Sequence, residues 1–571
     1  MFWPRTTPPK SPLEQFLAES QLVQSIFDSL KTAQNAINAH LQGYEAWHIM
    51  FLGMVFALVL SRLISFLNLA HQTLVDKGWK QLASGFVLDL PGVRGFVARQ
   101  QAATTAKLRE SLQKGKDVTD AILVLPKEGI SAAQIKSRLA RKARDDIRFS
   151  EGESKVSGAV YLSGTSHQLL LNEVYKQFSI TNPMHADVFP SVRKMEGEVV
   201  AMTAALLGGG PAGDPGVCGA MTSGGTESIL TAVKASRDYM AATRGIEHPE
   251  IVIAESAHAA FIKAAEYFKI RLIRVPVGKK DYRLSAKAVA KAISRNTILV
   301  VASSPGFPHG VMDHIEDIAA VARRKGVLLH VDCCLGGFVL PFARDLGYSI
   351  PPFDFSVPGV TSISVDTHKF GQAHKGTSVV LYRNAAIRRY QYTSITDWTG
   401  GLYISPGFAG SRSGALISTA WAAMVHMGRD GYVAATKTMM DAALQFSVGV
   451  SKIEGLEVIG RPEMCVVAFK SIQHDMLNIY KVNDLLSARG WHLNALQRPA
   501  ALHICFTAAH SASTVAELLR DLEECVAGVL AHPESGGDGM APLYGMAATV
   551  PDRRIVGNFL IAYQDILLEP L

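Results

Sequence analysis

A chain of 571 residues, 48% of them hydrophobic and 19% charged, is too long for one hydrophobic core and too apolar to be disordered, so two or more folded domains are expected. The formal charge of +7 is spread along the chain, and the basic cluster between Arg94 and Arg144 lacks interleaved aromatics, which argues against nucleic-acid binding and for a solvated or membrane-facing surface. Six cysteines without CxxC or other metal spacing point to reduced, buried thiols in a cytosolic compartment and to no metal site.

Residues 1–45 open on a Pro-rich piece and continue into a moderately amphipathic, helix-prone stretch with no sign of chemistry. Residues 46–70, AWHIMFLGMVFALVLSRLISFLNLA, are the most apolar segment. The uninterrupted part, Ile49 to Leu60, is too short to cross a ~30 Å hydrocarbon layer alone, but extension past Arg62 to Leu69 suffices. A signal peptide is disfavoured by the polar residues ahead of it and the weak cleavage site behind. A buried helix of a soluble domain competes, and a single membrane span is the preferred expectation, with Trp47 as an interfacial anchor and Arg62 snorkelling. Arg62, Lys77, Lys80, Arg94 and Arg99 follow the segment and only Lys31 closely precedes it, so the C-terminal part is placed in the cytosol. Residues 71–150 read as a basic helical connector in which Ser131 caps a helix, SAAQIKSRLARKARDD.

From Val217 the pattern becomes regular. Strands are expected at Val217–Ser223, Ile251–Ser256, Ile270–Val277, Thr297–Ser303, Val327–Asp332 and Thr361–Asp366. Helices fall between most of them, one ending on Gly326. Nearly all-apolar strands alternating with helices describe an α/β fold with a mostly parallel sheet covered on both faces. Ligands of such sheets bind beyond the carboxyl ends of the strands. This large domain is assigned to residues 151–430. Residues 431–571, opening on a long helix from Gly431 and continuing in short strands and helices, are read as a smaller α+β domain.

The residues able to do chemistry fall at those strand ends. One buried run ends on Asp332 and another leads to His368 and Lys369. TSGGTES, Thr222 to Ser228, joins a strand to a helix; its glycines let backbone N–H groups approach an anion, and Thr226 adds a hydroxyl. It is neither a Walker A loop nor GxGxxG, which disfavours nucleotides. His258 follows the next strand and could lie on a flat heteroaromatic ring. An anion cradle, a flat side chain, a carboxylate and a lysine together describe a pyridoxal phosphate (PLP) site. Lysine holds the aldehyde as a Schiff base, and the carboxylate keeps the pyridine nitrogen protonated. Each residue alone is ordinary; the consistency of the set carries the expectation.

The ordered series NPMHADVFP, TSGGTESIL, HAAFIKAA, FPHGVMD, HVDCCLGGF, THKFG, WTGGLY, GSRSGALI and MAPLYGMA resembles the fold-type I PLP enzymes that include glutamate and aromatic amino-acid decarboxylases. Within that group it is most similar to the sphingosine 1-phosphate lyase family, from about Gly158 to the C-terminus. The resemblance implies Lys369 as the Schiff-base lysine and Asp332 as the pyridinium partner. It implies cofactor contacts from Gly225, Thr226, His258, His368 and Asn182. It further implies His185, Lys375, Tyr403 and Arg412 at the substrate, with Tyr403 and Lys375 assisting proton transfer. Asn182 can also be read as a pre-proline turn residue, and Arg412 as a structural salt bridge. The implied reaction is retro-aldol cleavage of a phosphorylated long-chain sphingoid base to phosphoethanolamine and a long-chain aldehyde. The implied setting is a homodimer, single-pass in the endoplasmic reticulum membrane. A related amino-acid decarboxylase, a lyase for another amino alcohol, and a membrane-anchored scaffold without activity are the alternatives. Two departures bear on the substrate: His374 and Ser413 stand where the family usually has proline, which is expected to loosen their loops; Gly306 and Cys333 are also atypical.

Overall fold

The computed structural model describes residues 121–147, 154–161, 164–473, 475–533 and 553–569, with scattered helical positions between 28 and 110. Residues 1–127 with 549–571 form one compact unit and residues 128–548 a second. The expected segment 1–45 and span 46–70 lie almost wholly outside the described residues. Among the described residues no helix is long and apolar enough to cross a membrane.

In the second unit the helix expected after Ser131 forms as α1, Ala132–Lys142. Next come α2, Thr165–Phe178, and α3, Pro190–Leu206. The alternating region then follows the expected order: β1 Cys218–Thr222, α4 Gly225–Arg244, β2 Glu250–Ala254, α5 Ala259–Tyr267, β3 Arg271–Val275 and α6 Ala286–Ala292. It continues through β4 Thr297–Ser303, α7 Ile315–Lys325, β5 Leu328–Asp332, β6 Ser362–Val365 and β7 Ser378–Tyr382. Every residue of β2, β4, β5, β6 and β7 is buried, the pattern of strands covered on both faces. Helix α7 shows why such a segment stops where it does. Glu316 and Asp317 sit in its first turn, three cations in its last, and Gly326 takes the left-handed conformation (φ 64°) that ends it.

The strand order of the seven-stranded sheet is β1-β7-β6-β5-β4-β2-β3. Pairs β2–β3, β2–β4, β4–β5 and β5–β6 are parallel, whereas β7 runs antiparallel to both β6 and β1. Because β7 is inserted in reverse, its first residue, Ser378, pairs with the last residue of β1, Thr222. Its second, Val379, pairs with the last residue of β6, Val365. The Gly-rich turn after β1 and the lysine loop after β6 are thereby brought to one place.

A two-stranded hairpin follows, β8 Thr393–Ile395 with β9 Tyr403–Ser405. The long helix expected from Gly431 begins earlier, as α8, Gly414–Val450, with a break at Gly428 (φ 54°). It therefore runs through the expected boundary at residue 430. A four-stranded antiparallel sheet, in the order β10 Leu456–Val458, β11 Val466–Ser471, β13 Ala501–Cys505 and β12 Asn494–Leu496, is accompanied by α9, Ile479–Ala488, and α10, Ala512–Ala531. All six cysteines are free, and all but the half-buried Cys218 are buried.

Glu463, ahead of β11, fastens the second sheet to the first. Its carboxylate pairs with Arg283 and accepts the Met312 N–H at 3.0 Å, with the side chain 7% exposed. Removing one member of a buried pair strands the other. Glu463→Ala is expected to lower stability by about 3–5 kcal/mol, read as a lower denaturant midpoint at unchanged slope, whereas a surface control such as Glu247→Ala leaves the midpoint in place.

Candidate active site

Lys369 lies three residues past Asp366, where the chain leaves β6, and its Nζ is 2.8 Å from Asp366 Oδ2. Burial works against the ammonium charge, but Asp366, with a smaller contribution from Asp332, outweighs it and holds the lysine above its ordinary range. Asp366 is itself 2% exposed and is braced from behind. Ser378 Oγ donates to its Oδ1 at 2.7 Å, Ser228 Oγ lies 2.8 Å from Ser378 Oγ, and Thr222 Oγ1 lies 2.6 Å from Ser228 Oγ. These hydroxyls, from β1, α4 and β7, form a chain of contacts that ends on the carboxylate.

Asp332 ends β5 beside β6, in register with Ser364. Its Oδ1 accepts the Cys334 N–H (3.2 Å) and the Ser364 hydroxyl (3.3 Å). His330, on the same face two residues earlier, bridges Ser362 (2.9 Å, Nδ1) and Ser364 (3.1 Å, Nε2), and burial pushes its pKa down to about 4. With the Ser364 proton committed to Asp332, neutral His330 must donate to Ser364 from Nε2 and accept from Ser362 at Nδ1. Both contacts fall on Asp332 Oδ1, so among the described residues Oδ2 is left for a protonated ring nitrogen.

The anion cradle is at the start of α4. Gly224 offers no side-chain cap, so the first helix amides have no partner within the helix. A Cβ on Gly225 would lie 2.8 Å from both oxygens of Asp366 and 3.0 Å from Cys334 Sγ. Only glycine permits that approach between turn and lysine loop. Thr226 stands exposed on the first turn. His368 accepts the Thr377 N–H at Nδ1 (3.2 Å), burial lowers its pKa, and its Nε2 lies 3.6 Å from Asp366 Oδ2. His258 is the N-cap of α5, its Nδ1 accepting the Ala260 N–H at 3.1 Å, which fixes its ring at the mouth of β2. A carboxylate with an open oxygen, a lysine, a fixed imidazole and a glycine-floored ring of amides fit the donor set PLP requires. Lys369 would hold its aldehyde carbon, Asp332 its ring nitrogen, and the α4 amides with Thr226 and His368 its phosphate.

Other expected residues are arranged differently. Asn182 turns its amide to neighbouring loops: Nδ2 donates to Ser411 Oγ (3.0 Å), and Oδ1 accepts the N–H groups of Met184 (3.1 Å) and Arg412 (3.2 Å). Arg412 forms a two-pronged pair with Glu196, with Nη2 to Oε2 at 2.9 Å. Arg412 lines a cavity of about 190 Å³ together with Thr222, Ser223, Glu227, Thr377 and Ser411. Lys375 Nζ donates to His368 O at 3.3 Å and lies 4.4 Å over the Tyr161 ring. Desolvation, then the Lys369 charge, pushes its pKa down to about 8. His185 is exposed, and Tyr403 sits on β9 with its ring edge-on to Trp398. Among the described residues no hydrogen bond joins either to Lys369.

The two proline replacements do not leave slack loops. Ser413 caps α8 by accepting the Leu416 N–H at 3.3 Å, and Thr181 O accepts the next amide, Gly414 N–H, at 2.9 Å. His374 packs near Tyr175, ring centroids 6.0 Å apart, and its carbonyl accepts the Thr377 hydroxyl. Asp366, Ser228, Ser378, Ser364 and Glu196 are not among the residues that the sequence pattern points to. Asp366 had a local signal, an acid three residues before the lysine; the serines had none, because Ser228 and Ser378 meet only through the β1–β7 register.

Residues 149–472 match the pyridoxal-dependent decarboxylase conserved domain. Over 551 residues the chain is 47% identical to the sphingosine-1-phosphate lyase of Arabidopsis thaliana, covering 95% of this chain and 98% of that one. It is 40% identical to sphingosine-1-phosphate lyase 1 of Rattus norvegicus, covering 94% and 92%. Among solved structures, the sphingosine-1-phosphate lyase of Burkholderia pseudomallei superposes with a TM-score of 0.71 at 38% identity, covering 79% of this chain and 98% of that one. The chain belongs to the sphingosine-1-phosphate lyase family, within the pyridoxal-dependent decarboxylases.

Proposed function

We propose that the chain is a PLP-dependent carbon–carbon lyase that cleaves a phosphorylated long-chain sphingoid base to phosphoethanolamine and a long-chain aldehyde. The observation that carries this is Lys369 set against Asp366, with Asp332 and the glycine turn at adjoining strand ends, in a chain whose sphingosine-1-phosphate lyase relatives match it nearly end to end.

When bound, the cofactor supplies an electron sink for the pair released as the Cα–C3 bond breaks. Asp332 keeps a proton on the ring nitrogen, and its own orientation is held by Ser364 and neutral His330. Asp366 holds Lys369 in place through the hydroxyl chain behind it. Lys375 is assigned to the substrate phosphate and to proton movement at the C3 hydroxyl, together with Tyr403, since a group with pKa about 8 exchanges protons near neutral pH. Arg412 joins the phosphate contact by sharing its guanidinium with Glu196.

A homodimer belongs to the same proposal. The segments carrying Asn182, His185 and Tyr403 expose large apolar side chains: Ile180 at 86%, Leu402 at 85% and Ile404 at 70%. Such patches mark surfaces that a partner covers. A second copy there would exclude water around His185 and Tyr403, and the purified holoenzyme should have twice the 61.6 kDa mass of the chain by light scattering. We also place residues 46–70 across the endoplasmic reticulum membrane, with the catalytic part cytosolic. That reading is supported by the apolar run and the basic residues behind it, and it suits a substrate whose hydrocarbon chain resides in the bilayer.

Lys369→Ala should abolish both the visible absorption of bound cofactor and aldehyde release from a phosphorylated sphingoid base. Carbon dioxide release without aldehyde from the unaltered enzyme would sink the lyase assignment. The pH dependence follows from Lys375, which is cationic below about pH 8 and neutral above it. KM for the phosphorylated substrate should therefore climb as pH rises through that value, and Lys375→Arg, whose guanidinium stays charged, should remove the limb. A KM that stays flat in the unaltered enzyme would exclude the phosphate role.

A further inference from the structure

Helix α1 has no buried residue, yet it is well specified locally. Ser131 and Gln134 form a reciprocal capping box: Ser131 Oγ accepts the Gln134 N–H at 3.3 Å, and Gln134 Oε1 accepts the Ser131 N–H at 2.9 Å. Arg141 and Lys142 in the last turn complement the helix dipole. Ile135 and Leu139 stand one turn apart on one face, 44% and 59% exposed. At about 3.6 residues per turn, Lys136 borders that apolar stripe on one side and Lys142 and Arg138 on the other, while Arg141 lies on the far face. From Ser131 to Arg144 there are five basic residues and no acidic one.

This combination selects its occupant by charge. A second copy packing the same face on itself would bring Lys136 and Lys142 against their own counterparts. A protein groove would have to desolvate both ammonium groups. An anionic lipid surface takes both features at once: the apolar stripe enters the boundary of the acyl chains, and the lysine stems follow it while their charges reach the headgroup phosphates. We infer that α1 is an interfacial helix that lies flat on anionic lipid, a contact separate from the membrane span proposed above and not dependent on it.

The test uses the full-length holoenzyme carrying Leu139→Cys, labelled with an environment-sensitive fluorophore; the native cysteines are buried or half-buried, and the unaltered chain gives the background. Phosphatidylcholine vesicles containing phosphatidylserine should shift the emission to the blue, and added salt should reverse the shift. Each basic residue near such a surface strengthens binding about fivefold, so Lys136→Gln together with Lys142→Gln should weaken it about thirtyfold. Cofactor absorbance reports that each variant is folded. Three results would overturn the inference. One is an unchanged emission on anionic vesicles. Another is an equal shift on pure phosphatidylcholine, which would mean the label is carried to the bilayer by another part of the chain. The third is a label already shielded, in a concentration-dependent way, before vesicles are added, which would mean a second copy covers α1.

Discussion

The site depends on the ion pair between Lys369 and Asp366. An ammonium group removed from water is costly unless an anion meets it, and a lysine with four rotatable carbons finds one geometry only if that anion is fixed. Asp366 is fixed on both oxygens, by the lysine on one and by Ser378 on the other, and Ser378 is tied through Ser228 to Thr222. The floor of the turn must then come close enough to Asp366 that no Cβ fits at Gly225. The pair, the hydroxyl chain and the glycine form one construction.

That construction exists because of sheet order. β1 and β6 flank β7 on either side, with their carboxyl ends at one edge of the sheet. Inserting β7 in the opposite sense places Thr222, Val365 and Ser378 side by side, and the anion cradle therefore adjoins the lysine. Asp332 enters from the other flank, in register with Ser364, and one buried neutral histidine orients the carboxylate through a serine hydroxyl. His330 can do this because burial keeps it uncharged, so that its two nitrogens have opposite roles.

Two loops beside this fixed centre are braced by polar contacts where prolines were expected. Ser413 replaces the rigidity of a ring with a helix cap, and Asn182 ties residues 411 and 412 to the turn before α3. Arg412 is neutralised by Glu196 in this arrangement, so its charge is available to an anion only in competition with a carboxylate.

The alternation of strands and helices from Val217 to Val365 was legible because strands buried on both faces read as continuous apolar runs, and caps such as Ser131 and Gly326 mark helix ends chemically. Asp332, Lys369, the Gly-rich turn and His258 were legible for the same reason: each ends a run that had nothing else to explain it. The start of α8 was not, since Gly414 to Val425 carries no break in hydrophobicity, only a serine cap that resembles any loop serine. The sequence by itself thus determined which cofactor the protein takes, because that chemistry rests on residue types at strand ends. Only the tertiary structure decided that Asp366 steadies the lysine, that Arg412 is shared with Glu196, and that Ser228 and Ser378 belong to the site, because those contacts join segments up to 216 residues apart through strand register and loop packing, which no local pattern encodes.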